Sequence, residues 1–107
     1  MNQLKSILFD KLKDVNAFWS FNAKSINNIP DEILIEKTLI HLDMDDINLL
    51  FKMYSSYTIK KVWRNRLVIQ GDYYRSLNKL IAGVYFDIKN PEKYINRVIN
   101  EHYKQLK

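Results

Sequence analysis

The chain contains no cysteine, two glycines and two prolines in 107 residues. Without cysteine there is no disulfide framework, no thiolate zinc site and no cysteine nucleophile. So few glycines and prolines argue against turn-dense β-sandwiches and barrels, and against nucleotide folds built on a glycine loop. No apolar run approaches the roughly 18–20 residues of a membrane span. A secretory leader is not expected either, because Ile7-Leu8-Phe9 is followed at once by Asp10, Lys11, Lys13 and Asp14, whereas such a leader needs about 7–15 uncharged apolar residues. The expectation is a soluble, cytoplasmic protein with no membrane contact and no cofactor.

What is present is 47% hydrophobic and 13% aromatic residues, too apolar a composition for a disordered chain. The length suits one domain, 1–107, that buries its own core. The net charge of +5 is unevenly spread: residues 1–53 hold 6 basic and 8 acidic side chains, and residues 54–107 hold 11 and 4. The balance is therefore −2 followed by +7. A basic C-terminal half points to a polyanion or an acidic protein surface as partner. The alternative source is compositional bias, since Ile, Lys, Asn and Tyr supply 44 residues.

Apolar residues recur with a helical period throughout, which predicts an all-α fold, a single compact bundle of about five to six short helices. Residues 1–17 read as an amphipathic helix with Leu4, Ile7, Leu8, Leu12 and Val15 on one stripe, and residues 18–107 as the main helical core. Phe18-Trp19-Ser20-Phe21 reads as an aromatic plug carried by a loop. Pro30 suits the first turn of a second helix running to about Leu42, with Asp31, Glu32 and Glu36 favouring its positive end. Asp43 is placed to cap a third helix carrying Ile47, Leu50, Phe51 and Tyr54. Ser56 is placed to cap a fourth with Ile59, Val62, Trp63 and Leu67 inward. After a break at Gln70-Gly71-Asp72, a fifth helix carries Tyr74, Leu77, Ile81, Val84 and Ile88. Asn90-Pro91 opens the last, with Ile95, Val98, Ile99 and His102 on its apolar side.

The catalytic inventory is thin. His41 and His102 lie in no ligand-spaced motif, and without cysteine a zinc site would need carboxylates from separate helices. Asp43, Asp45 and Asp46 lack the phosphate cradle of a transferase and the glycine and distant Glu of a calcium loop. Helix capping accounts for them. No nucleophile elbow or triad spacing occurs. The reading is not an enzyme, with no catalytic residues and no metal.

The basic run from Ile59 to Leu67 is more suggestive. On an α-helical wheel Tyr57, Lys60, Lys61 and Arg64 share one exposed face, beside a core side made by Ile59, Val62, Trp63 and Leu67, a set able to meet phosphates or an acidic partner. Trp63 reads as a core anchor. Arg66 falls with the apolar side and needs a carboxylate or carbonyl there. Helices 44–54 and 57–67 have the lengths of a helix-turn-helix. Tyr54, Ile59 and Val62 fit its apolar positions, but Leu49 and Met53 stand where a small residue and glycine belong. Tyr and Arg also mark interface hot spots, and Tyr73, Tyr74, Arg75, Tyr85, Phe86 and Tyr94 are candidates beside the basic run. The alternative is a packed core whose tyrosine hydroxyls reach water.

The order of these features is similar to a family of small uncharacterised helical proteins of Bacteroidota. The similarity is carried by Phe18-Trp19-Ser20-Phe21, Ile29-Pro30-Asp31, Leu42-Asp43-Met44-Asp45-Asp46-Ile47, Leu50-Phe51, Tyr54 and Ile59-Lys60-Lys61-Val62-Trp63. It spans roughly residues 18–88 through short, hydrophobic motifs. Genes of this family often sit beside a nucleotidyltransferase-fold toxin of the abortive-infection type. The resemblance implies an antitoxin-like or accessory partner of such a toxin, with no catalytic residues of its own. The alternative is a DNA-binding regulator that uses the basic helix 57–67.

Overall fold

The computed structural model describes residues 3–15 and 29–105, so the aromatic run 18–21 lies outside the described residues. The fold is all-α, and no strand occurs among the described residues. None of these helices is long and apolar enough to cross a membrane. The helices are α1 (Gln3–Asp14), α2 (Asp31–His41), α3 (Met44–Met53) and α4 (Ser56–Val62). A π-helical turn (Trp63–Leu67) and a 3-10 segment (Val68–Tyr74) follow, then α5 (Arg75–Tyr85) and α6 (Pro91–Gln105). Residue contacts divide the chain into two compact units, Met1–Ile59 and Lys60–Lys107.

In the first unit α2 is buried over most of its circumference, with Ile33, Leu34, Ile35, Thr38 and Leu39 inside. It packs against α1 and α3. The inward residues of α1 are Leu8, Phe9 and Leu12. Ile7 and Val15, expected on that stripe, are exposed instead, because the contact face is centred one residue further along the helix. Pro30 is the N-cap of α2 rather than its first helical residue, and its carbonyl accepts from Ile33 N and Leu34 N at 3.1 Å. At the next junction Asp43 and Asp46 form a capping box on α3. Asp46 is also buried, and Lys11 of α1 meets it at 2.7 Å. Asp31 joins three elements: Tyr54 Oη, just past α3, donates to it at 2.7 Å, and Lys5 of α1 reaches it at 3.2 Å. Ser55, not Ser56, caps α4, since Ser55 Oγ accepts from Thr58 N at 3.1 Å.

In the second unit the core is Trp63, Leu67, Val68, Ile81, Ala82, Ile95 and Val98. The helix expected over 57–67 is not one α-helix: α4 ends at Val62 and the backbone widens into the π turn. Gly71 then bends the chain with φ 74° and ψ −137°, a conformation essentially restricted to glycine. The carbonyl of Leu67 is met by the buried side chain of Asn78, whose Nδ2 donates to it at 3.3 Å. Asn78 Oδ1 in turn accepts from Trp63 Nε1 at 3.0 Å. A buried asparagine on α5 thus satisfies two polar groups at this irregular stretch.

Helix α5 ends at Tyr85, so Ile88 lies beyond it, and Val84 is exposed rather than inward. The buried face of α5 is Asn78, Ile81 and Ala82. Asn90 opens α6 as its sequence indicates, Oδ1 accepting from Lys93 N at 3.2 Å and the carbonyl from Tyr94 N at 3.1 Å.

Candidate functional site

The basic and aromatic candidates of the second unit converge on one ring. Tyr94, in the first turn of α6, lies parallel to the buried Trp63 with centroids 6.0 Å apart and planes 5° apart. Phe86 flanks the same indole at 5.1 Å. Around Tyr94 stand three cations: Lys60 Nζ at 5.4 Å, Arg64 Cζ at 6.0 Å and Arg97 Cζ at 5.0 Å from the ring centroid. Lys60 also lies 5.9 Å from the Phe86 ring. Each cation gains from the ring's negative face, but the three repel one another. Among the described residues the carboxylate within ion-pair distance of this group is Glu101, 3.7 Å from Arg97. Lys60 and Arg64 have no carboxylate partner there, and Arg64 Nε is buried with no hydrogen bond. A hollow of about 410 Å³ adjoins the ring, lined by Ile88, Asn90, Lys93, Tyr94 and Arg97.

The expected basic face is therefore assembled only in part. Lys60 and Arg64 meet at Tyr94. Lys61 is exposed and stays outside that group. Tyr57 is 76% exposed and belongs to the first unit. Lys60 and Lys61 both stand on α4, about 100° apart around it, so Lys60 faces Tyr94 with Arg64 of the π turn while Lys61 points to solvent. Trp63 is fully buried, the anchor on which the ring group is built.

The candidate interface residues are also divided. Tyr73 is 82% exposed and stands edge-on to Tyr74 at 4.6 Å. Tyr74 and Tyr85 are half-buried. Arg75 is held within the unit by Asp72 at 2.9 Å, Asn96 at 3.1 Å and Glu92 at 3.8 Å, so it ties α5 to α6. A second surface went unread in the sequence. On the outer side of α5, Leu80 is 58% and Val84 50% exposed. They lie about 40° apart on the helix, and the core residues Asn78 and Ala82 occupy the opposite side. Assigning Val84 to the core hid this line.

The histidines and the aspartates at the start of α3 are no part of the group at Tyr94. Burial, with Lys37 assisting, holds the His41 imidazole below its ordinary pKa, whereas His102 packs edge-on to Tyr103 at 5.5 Å. Asp43 and Asp46 serve the start of α3. No cluster of three histidine or carboxylate groups able to hold a metal occurs among the described residues. Comparison with protein-family models, curated proteins and solved structures finds no match.

Proposed function

We propose that this chain is a non-enzymatic interaction protein, the antitoxin-like partner of a nucleotidyltransferase-type toxin. The observation that carries the interaction reading is the apolar line of Leu80 and Val84 on the outside of α5, with the exposed Tyr73 two residues before the helix. A highly charged half of the chain gains nothing by showing two aliphatic side chains to water. Burying the exposed half of each against a partner is worth about 1 kcal/mol. An aromatic beside aliphatic anchors is the composition of an interface centre. The class of partner rests on the family resemblance carried by residues 18–88.

The test is co-expression with the product of the neighbouring gene. A stable complex and relief of toxicity are expected. Leu80→Ser with Val84→Ser should weaken that complex at least about tenfold while leaving the helical circular-dichroism signal unchanged. No co-purification, or an undiminished complex in the double variant, overturns the reading.

A further inference from the structure

The polar side of α6 has a layout that the protein-partner reading does not use. At about 100° per residue, Lys93, Arg97, Asn100 and Lys104 fall within about 60° of one another. All four are exposed, and Ile95 and Val98 face the core on the other side. The line covers 11 residue steps, or about 16 Å of helix. It is unbroken by any large apolar side chain. Its middle member, Arg97, is also one of the three cations at Tyr94, so the row of α6 joins the group formed with Lys60 and Arg64.

We infer that α6 is a duplex-DNA-binding element, with Lys60, Arg64 and Arg97 clasping backbone phosphate at Tyr94 and the row from Lys93 to Lys104 facing the major groove. Three lines of chemistry select this occupant. Cations gathered around one neutral ring, two of them without a carboxylate, call for a multivalent anion. Asn100 on the row has the donor and acceptor pattern that reads a base edge, and the lysines at the row's ends suit phosphates. The B-DNA major groove admits an α-helix, whereas that of an RNA duplex is too deep and narrow. An acidic protein surface would more naturally engage apolar anchors, and those stand on α5. The groove element is then α6 rather than helix 57–67, which contributes only Lys60 and Arg64 to the phosphate contacts. It does not depend on the toxin-partner reading.

Glu101 opposes binding by holding Arg97, which supplies a variant of opposite sign. The experiment is fluorescence anisotropy of a labelled mixed-sequence DNA duplex titrated with the full chain, from about 50 to about 200 mM salt. Five phosphate-contacting cations predict that log K falls with log salt at a slope of about −4 to −5. Arg97→Ala with Lys104→Ala should reduce that slope by about two, whereas Glu101→Gln should tighten binding several-fold. Lys61→Ala should leave the affinity unchanged, and so should Leu80→Ser with Val84→Ser. No binding at low salt overturns the inference. An equal loss from Lys61→Ala also overturns it, by reducing the effect to net charge, and so does equal affinity for an RNA duplex of the same sequence titrated in parallel, whose major groove cannot admit the helix.

Discussion

The two glycines occupy positions with opposite demands. At Gly71 (φ 74°) a Cβ would meet nothing within 4 Å, so the obstacle to a side chain there is backbone conformation alone. Gly71→Ala is expected to destabilise the protein by about 1–3 kcal/mol. Gly83 lies inside α5 and also has open space where a Cβ would go. There the glycine only enlarges the entropy lost on folding, so Gly83→Ala should stabilise by about 0.5–1 kcal/mol. Urea midpoints of the two variants, moving in opposite directions, check both. Asn78 is a different case, fully buried and bonded at both ends of its amide. Asn78→Leu should cost about 1–3 kcal/mol for each group left unpaired, the Trp63 indole N–H and the Leu67 carbonyl.

At the scale of helices, Asp31 sets the pH response of the first unit. The Tyr54 hydroxyl, more than Lys5, holds its carboxyl below the usual value. Burial, with the same hydrogen bond, pushes the Tyr54 phenol far above its ordinary value. The Asp31 contribution is present above the ordinary carboxylate pKa of about 3.9 and is lost as pH falls through its lower folded value. The Tyr54 contribution is present below about pH 10 and is lost as pH rises toward its raised folded value. Tyr54→Phe should therefore lower stability near neutrality by about 0.5–1.5 kcal/mol and flatten both limbs of the stability–pH curve, measured by urea denaturation. Helix junctions of this kind were partly legible in the sequence, because capping is local: Asp43, Asp46 and Asn90 stand beside the backbone groups they serve. The π turn was not legible. Its widening coincides with a contact between Trp63 and Asn78, 15 residues apart, that no 3.6-residue period encodes. The faces of α1 and α5 were misplaced by one position for a related reason, since periodicity finds an apolar stripe but not which edge meets a neighbour. For the site, a wheel over 57–67 puts Lys61 with Lys60 and Arg64 although Lys60 and Lys61 lie about 100° apart on α4, and the polar row of α6 has no apolar period by which a sequence marks a face.

At the scale of the molecule, the division between units falls where the charge changes sign. Residues 54–59 carry no charge, so the unit that begins at Lys60 holds all 11 basic and 4 acidic groups of the C-terminal half. That imbalance could be read directly from the sequence, because counting charges needs no geometry. The structure adds how little of it is neutralised: Asp72, Glu92 and Glu101 serve Arg75, Lys79 and Arg97. These pairs are solvent-exposed and worth roughly 0–1 kcal/mol each. Against them stands the repulsion among Lys60, Arg64 and Arg97 about one ring, reinforced by the other cations of the unit. Repulsion reaches further than the pairs do, since the screening length is about 30 Å at 0.01 M salt and about 8 Å at 0.15 M. Added salt therefore removes more repulsion than attraction, and the urea midpoint should rise between those two concentrations. Lys60→Gln takes one charge from the crowded group without touching an ion pair. It should raise the midpoint at low salt and diminish the further gain from screening. A midpoint that falls with salt in the wild-type chain would show that the ion pairs outweigh the repulsion.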